Sequence, residues 1–156
     1  KKFQKICLNK IYASHLRRAK QTAMIIARPH KLKVYCEENL RERSYGVMEG
    51  MTREEFKQKF PQLPPHEVGV DWKPKGGESM RQVTARIVKA FKKIVRQHKP
   101  GERILIVSHG GALRCLLHSL HGGKLEEVWE RKPIDNGEIT EVHWDGKKAK
   151  IISSYK

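Results

Sequence analysis

The 156-residue sequence contains only three cysteines, Cys7, Cys36 and Cys115, and none forms a C-x-x-C pair. An odd number without that spacing argues against a disulfide framework or a zinc site and suits a reducing cytosol. No apolar run approaches the roughly 20 residues that span a bilayer, and no apolar segment follows the charged opening residues. We therefore expect neither a membrane span nor a signal peptide. The length leaves room for one domain, which we expect to cover 1–156.

Acidic residues are absent from the first 36 positions, which hold ten lysines or arginines. These ten supply most of the formal net charge of +16. An all-basic segment is typical of a nucleic-acid surface or of a site that attracts anions. Aromatic residues for base stacking are sparse in this segment, which disfavours nucleic acid as a partner.

Short apolar segments alternate with amphipathic ones along the chain. This alternation predicts an α/β fold with an at least partly parallel sheet. Apolar spacing, capping residues and turn residues predict these elements: strands at 9–14, 33–36 and 104–107, the last buried on both faces; helices at 16–28, ended by Pro29, and at 53–60, 80–97 and 112–120; a short helix at 125–131; a loop at 61–77; and a hairpin of 138–144 and 149–152 with a two-residue turn at 145–146.

The strongest local motif runs from Ile104 to Gly111, where an apolar strand ends at His109. Ligands of parallel sheets bind at such strand ends. The glycines allow a ligand to approach the backbone, and the N–H groups of the next helix favour an anion, most simply phosphate. The alternative is a strand-end histidine satisfied by ordinary hydrogen bonds, and the motif alone leaves both open.

Two further segments place polar side chains near strand ends. Arg18 lies in the first turn of a predicted helix, where it can bind phosphate oxygens, although it can equally be a solvated arginine. Glu42 lies between two arginines and can act as a general acid if burial raises its pKa. Arg43 and Tyr45 can donate hydrogen bonds to an acidic substrate. An ion-paired loop is the alternative for this second segment.

No nucleophile accompanies these groups. The sequence has no G-x-S-x-G motif, P-loop, C-x5-R loop or cluster with metal-ligand spacing. The G-G-E-S segment at 76–79 is expected to form a turn and a helix cap without chemistry.

In order along the chain, these segments resemble the histidine phosphatase superfamily, the phosphoglycerate-mutase-like proteins. Ser14 to Ala23 is similar to the family's S-D-L-x-R-A-x-Q-T-A segment, and Leu40 to Gly50 is similar to its L-x-E-R-x-x-G-x-x-E-G loop. Three shorter segments also resemble family motifs: G-G-E-S at 76–79, V-S-H-G at 107–110 and N-G-E-I at 136–139.

The resemblance implies a three-layer α/β/α fold with a mostly parallel sheet and a C-terminal hairpin. It also implies phosphoryl transfer through a phosphohistidine, without a metal or other cofactor. Arg18 would be a phosphate-pocket arginine, His109 the second pocket histidine and Glu42 the proton donor to the leaving oxygen. The remaining matched positions would contact the substrate: Arg43, Tyr45 and Gly110.

The family's R-H-G motif, which carries the nucleophilic histidine, has no match in this sequence. His15 also stands where the family usually has aspartate. A βαβ unit needs about 30 residues, and only eight precede the strand predicted at residue 9. We therefore expect the chain to lack the family's first strand and to be inactive alone. The loss of a central strand would expose sheet edges, so instability or pairing with another chain is expected.

The connection between Glu42 and Gly76 is only about 30 residues long, as in the family's compact phosphatases. The sequence therefore favours hydrolysis of a small phosphomonoester in the cytoplasm. A phosphoglycerate mutase and a non-catalytic polyanion-binding protein are the alternatives. The expected partner is a small phosphorylated substrate or inorganic phosphate rather than a membrane or nucleic acid, and homo-oligomerisation stays open.

Overall fold

A computed structural model describes residues 3, 6–61, 69–130 and 132–155. Its central sheet has three parallel strands in the order β2-β1-β3. The elements of the fold are β1 (Lys10–Ala13), α1 (Arg17–His30), β2 (Val34–Cys36), α2 (Arg53–Lys59), α3 (Met80–Arg96), β3 (Ile104–Val107), α4 (Gly110–Leu120), β4 (Ile139–Trp144) and β5 (Ala149–Tyr155). Short 3-10 segments lie at Glu38–Leu40, Gly46–Met48 and Leu125–Trp129.

The alternation of side chains along β1 separates two layers of core. Ile11 and Ala13 are fully buried on one face, where the small residues Ala23 and Ala27 bring α1 close to the sheet. Tyr12 points to the opposite face and joins the larger cluster formed by α3 and α4. Helices therefore cover both faces of a parallel sheet, which confirms the predicted α/β fold.

Helix α3 supplies the largest share of the second layer. Its buried apolar residues recur at helical spacing and include Val83, Ile87 and Ile94. Burial of each such side chain stabilises the fold by about 1.5–3 kcal/mol. Ser79 begins this helix with a capping box to Gln82, as its sequence spacing predicts.

The hairpin of β4 and β5 packs against the same cluster. The Trp144 ring meets the Phe91 ring edge-on at a centroid distance of 6.0 Å. The hairpin is antiparallel, with Trp144 paired to Ala149. Four residues, 145–148, therefore connect the strands, and the predicted two-residue turn is wrong. Within this connection, Asp145 Oδ1 accepts from the N–H groups of Lys147 and Lys148.

Two other sequence expectations are corrected. Pro29 does not end α1, which continues to His30 and is capped by Lys31 at a φ of 54°. A proline in the last turn removes only one backbone hydrogen bond. The four residues of β3 are only partly buried, because within the described residues β3 pairs with β1 alone.

Other predicted elements have similar bounds to those observed, although 125–131 contains a 3-10 segment that ends at Trp129. Most of the predicted loop at 61–77 lies outside the described residues. Among the described helices, none combines the length and the apolar character that crossing a membrane requires.

Candidate active site

Two of the predicted site residues meet where β1 and β3 end. His109 directly precedes α4 and is buried, whereas Arg18 lies in the first turn of α1 and is exposed. The Arg18 Nε–H donates to His109 Nδ1 at 3.1 Å. Because the two strands are parallel neighbours, their following helices begin at the same edge of the sheet. An anion can therefore reach the Arg18 guanidinium from solvent.

Ser14 holds the other side of the same imidazole. Its Oγ lies 2.9 Å from His109 Nε2, and Ser14 is fully buried at the end of β1. The sequence indicated Ser14 as a strand end and as the first residue of a family motif, without a contact to His109. The pairing of β1 with β3 brings Ser14 into contact with His109, although the two residues lie far apart in the chain.

The environment of His109 favours the neutral imidazole. Burial lowers the pKa of His109, and the positive charge of Arg18 lowers it further. The nearby Glu42 carboxylate opposes these effects without reversing them. His109 is therefore uncharged at neutral pH in the absence of a bound anion.

Glu42 lies at the N-terminus of α4. Its carboxylate accepts hydrogen bonds from the backbone N–H groups of Gly111 and Ala112 at 3.1 and 2.9 Å, and from that of Arg43 at 2.9 Å. The sequence predicted that the helix N–H groups would be available to a phosphate. The structure shows that Glu42 already uses two of them. A Cβ at Gly111 would lie 2.7 Å from Glu42 Oε1, so any other residue at this position would displace the Glu42 carboxylate.

An ion-paired cluster behind Glu42 holds its loop in place. The Arg86 guanidinium donates to the backbone carbonyls of Asn39, Arg41 and Glu42. It also donates to both carboxylate oxygens of Glu78, at 2.7 and 3.0 Å. All five N–H groups of this guanidinium are thereby used. The sequence placed Glu78 only in a turn and in the G-G-E-S motif, and it did not single out Arg86.

The charge state of Glu78 follows from this cluster. Burial by itself raises the pKa of Glu78, but hydrogen bonds from Arg86 and the Ser44 N–H, with the charges of Arg86 and Arg41, outweigh it and lower the pKa. A carboxyl whose pKa is lowered by folding stabilises the fold above its unfolded pKa, about 4.3 for glutamate. That contribution is lost as the pH falls through the folded pKa.

We therefore expect Glu78→Gln to reduce the pH dependence of stability below about pH 5. Urea unfolding at several pH values between 3 and 7 measures this slope. Asp71→Asn is the matched control, because Asp71 also has a pKa lowered by an arginine, Arg81, but is exposed. An equal change of slope in both variants would contradict the role assigned to the Glu78 cluster.

The two remaining side chains predicted near the substrate lie together beside Glu42. The Arg43 guanidinium is buried and donates to the backbone carbonyls of Glu78 and Trp72, at 2.9 and 3.4 Å. It also stacks 5.2 Å from the centre of the Tyr45 ring. Tyr45 is 40% exposed, and both desolvation and Glu42 raise the pKa of its phenol. Tyr45 is thus an accessible hydrogen-bond donor at neutral pH.

Gly110 begins α4 immediately after His109. A Cβ at this position would approach the Ile134 carbonyl oxygen to 3.2 Å. Within the described ranges, no three His, Cys, Asp or Glu side chains form a group that could hold a metal ion.

One known protein family matches almost the whole chain. The model of the histidine phosphatase superfamily (branch 1) matches residues 1–155. The chain belongs to the histidine phosphatase superfamily. This confirms the resemblance seen in the sequence, and phosphatases and phosphoglycerate mutases both occur among its relatives.

Two curated relatives, one named as mutase-like and one as a phosphatase, are similar to this chain. Phosphoglycerate mutase-like protein 4 of Arabidopsis thaliana is 40% identical over 114 residues, which are 70% of this chain and 49% of that protein. Phosphoserine phosphatase 1 of Hydrogenobacter thermophilus is 31% identical over 151 residues, which are 93% of this chain and 69% of that protein. The chain thus spans about half to two thirds of the length of these relatives.

Solved structures of the superfamily share the fold. YhfR of Bacillus stearothermophilus superposes with a TM-score of 0.88 at 30% identity, over 96% of this chain and 75% of that one. The mycobacterial glucosyl-3-phosphoglycerate phosphatase Rv2419c, solved with VO3, superposes with a TM-score of 0.83 at 25% identity, over 96% and 77%. These superpositions confirm the predicted phosphoglycerate-mutase-like fold.

Proposed function

We propose that Arg18 and His109, at the edge where β1 and β3 end, bind the phosphoryl group of a small phosphomonoester that the whole protein hydrolyses. The main support is the 3.1 Å contact between Arg18 Nε and His109 Nδ1. This contact places a permanent cation and an imidazole at one strand-end edge. The Glu42 carboxylate accepts from the N–H groups of Gly111 and Ala112, directly after His109 and Gly110, so an acidic side chain lies at the same edge.

The proposed reaction has two steps. In the first, a histidine nitrogen attacks phosphorus, the ester P–O bond breaks, and Glu42 gives its proton to the leaving oxygen. In the second, water attacks the phosphohistidine, the P–N bond breaks, and the Glu42 carboxylate takes the proton of the water. Arg18 and His109 would stabilise the charge on the phosphoryl oxygens. Tyr45, supported by Arg43, and Gly110 would contact the substrate.

The nucleophile of the first step has no counterpart in these 156 residues, because no histidine lies in an R-H-G motif. We therefore propose that the chain alone binds phosphate but does not turn over. Hydrolysis is favoured over mutase activity by the short connection from Glu42 to Gly76. The exposed free thiols of Cys7 and Cys36 support a reducing location such as the cytosol.

A calorimetric titration of the chain with inorganic phosphate or vanadate tests the binding site. Arg18→Ala is expected to weaken binding about 10–100-fold, because hydrogen bonds to charged groups contribute about 1.5–3 kcal/mol. Arg17→Ala is the matched control, because it removes the same charge from the adjacent exposed position. The same chain should release no measurable phenol from an aryl phosphate, and substantial turnover would overturn the proposed inactivity.

A second candidate function is supported by the distribution of charge. Residues 1–36 contribute ten positive charges and α3 contributes six, with no acidic residue in either, so together they account for the whole net charge of +16. Lys89, Lys92, Lys93 and Arg96 form one exposed face of α3. Lys93 pairs with Glu37 at 3.0 Å, but like charges three and four residues apart on this face still repel. A polyanion would relieve this repulsion. Equal weakening of phosphate binding by Arg17→Ala and Arg18→Ala, with a steep salt dependence, would favour this function.

A further inference from the structure

We infer that Ser14 is a positioning residue that, together with Arg18, keeps the proton of neutral His109 on Nε2 and turns Nδ1 toward the bound anion. The inference deepens the proposed function, since it assigns the protein group behind the second pocket histidine. The family motifs found in the sequence did not give Ser14 this role.

The hydrogen-bond partners of the ring decide where its proton lies. An arginine guanidinium is always protonated and only donates. The Arg18 Nε–H therefore needs a lone pair on His109 Nδ1, 3.1 Å away. The proton of the neutral ring must then be on Nε2, from which it donates to Ser14 Oγ at 2.9 Å.

The backbone holds the Ser14 hydroxyl as an acceptor. Its Oγ also accepts from the Leu16 N–H at 3.2 Å. The Ser14 N–H donates to the Val107 carbonyl at 2.9 Å, which ties the end of β1 to the end of β3. The second lone pair of the hydroxyl can therefore accept the Nε2–H of His109, and full burial of Ser14 keeps water from replacing it.

A bound anion would change only one side of the ring. When phosphate draws the Arg18 guanidinium toward itself, Nδ1 becomes the ring atom that faces the anion. Nδ1 can then take a proton from the bound monoanion or from solvent. The resulting Nδ1–H donates a hydrogen bond to a phosphoryl oxygen. The Nε2–H stays on Ser14, so both N–H groups of the imidazolium are satisfied.

The charges around the ring set the balance between its two states. Arg18, Arg86 and His15 disfavour the imidazolium, whereas Glu42 favours it. A phosphate dianion beside Arg18 adds negative charge on the Nδ1 side. We therefore expect the ring to be neutral in the free chain and protonated when phosphate is bound.

Histidine side-chain 15N NMR of the 15N-labelled chain tests the inference directly. In phosphate-free buffer near pH 7.5, the His109 signals should show the pure Nε2–H tautomer, and inorganic phosphate should shift them toward the imidazolium. Ser14→Ala should weaken the preference for the Nε2–H tautomer, because only the Arg18 contact then favours it, and should weaken phosphate binding about 3–10-fold, since one hydrogen bond is lost. Ser14→Thr, which keeps the hydroxyl, should restore the wild-type pattern.

Ser108→Ala is the matched control. It removes a hydroxyl at the end of the neighbouring strand, where Ser108 Oγ donates to the Leu40 carbonyl at 2.6 Å. It should therefore leave the His109 tautomer unchanged. A dispersed amide spectrum would show that each variant is folded.

The wild-type spectrum alone can overturn the inference, because an Nδ1–H or averaged tautomer in the free chain contradicts it even if no variant folds. An unchanged tautomer in folded Ser14→Ala contradicts it as well. A pure Nε2–H tautomer without phosphate binding would refute the proposed function but leave the Ser14 assignment standing.

Discussion

Replacement of Arg86 by alanine is expected to lower the free energy of unfolding by about 3–5 kcal/mol. The Arg86 and Glu78 side chains are only 10% and 14% exposed, so the substitution leaves a largely buried carboxylate without its main partner. It also leaves the carbonyls of Asn39, Arg41 and Glu42 without their donor. Since the free energy of unfolding of small domains is about 5–15 kcal/mol, urea unfolding monitored by circular dichroism should show this loss.

Arg81→Ala is the internal control for this prediction. Arg81 lies on the same helix and also pairs with a carboxylate, that of Asp71, at 2.6 Å. Both partners are exposed, at 56% and 69%, and exposed ion pairs contribute about 0–1 kcal/mol. If Arg81→Ala and Arg86→Ala cost the same, burial of the Glu78 cluster does not determine its contribution.

Replacement of Gly46 by alanine is expected to have the second largest effect. Gly46 has a φ of +52°, and a Cβ there would overlap the Lys75 carbonyl oxygen and lie 2.6 Å from the Gly77 nitrogen. A non-glycine residue in the left-handed region costs about 1–2 kcal/mol, and the overlap with a rigid backbone adds about 1–3 kcal/mol. Thermal unfolding of Gly46→Ala should therefore show a much lower midpoint than that of the wild-type chain.

Gly50→Ala separates these two costs. Gly50 also has a positive φ, +77°, but its Cβ would meet nothing within 4 Å. The free energy of unfolding of Gly50→Ala should therefore fall only by the conformational cost, about 1–2 kcal/mol. Gly46→Ala should in addition weaken phosphate binding, because the displaced backbone belongs to the loop that carries Glu42. Equal midpoints for the two variants would contradict the overlap.

Local patterns in the sequence were sufficient for most elements of the fold. The apolar spacing of Val83, Ile87 and Ile94 and the capping residue Ser79 located α3 to within a residue. The same reasoning failed where neighbours in space decide the outcome. The apolar run of β3 predicted burial on both faces, yet its exposure depends on how many strands lie beside it, and the run itself does not carry that information.

The site shows the same division. Arg18, Glu42 and His109 could be selected because they lie at predicted strand ends within recognisable motifs. Ser14 lies at a strand end within the same motif as Arg18, but neither its contact with His109 nor the role of Arg86 could be predicted, because each involves a partner at least 44 residues away. A hydrogen bond between such distant positions leaves no periodicity or spacing in the chain.

The sequence by itself therefore determined the alternation of strands and helices, the family and the candidate residues for a phosphate site. Only the tertiary structure decided that Glu42 uses the N–H groups at the start of α4 and that Arg18 and Ser14 hold the two sides of His109. The physical reason is that residue types and spacings specify what a segment can do. Hydrogen-bond partners depend on which segments the packed core brings within about 3 Å of one another.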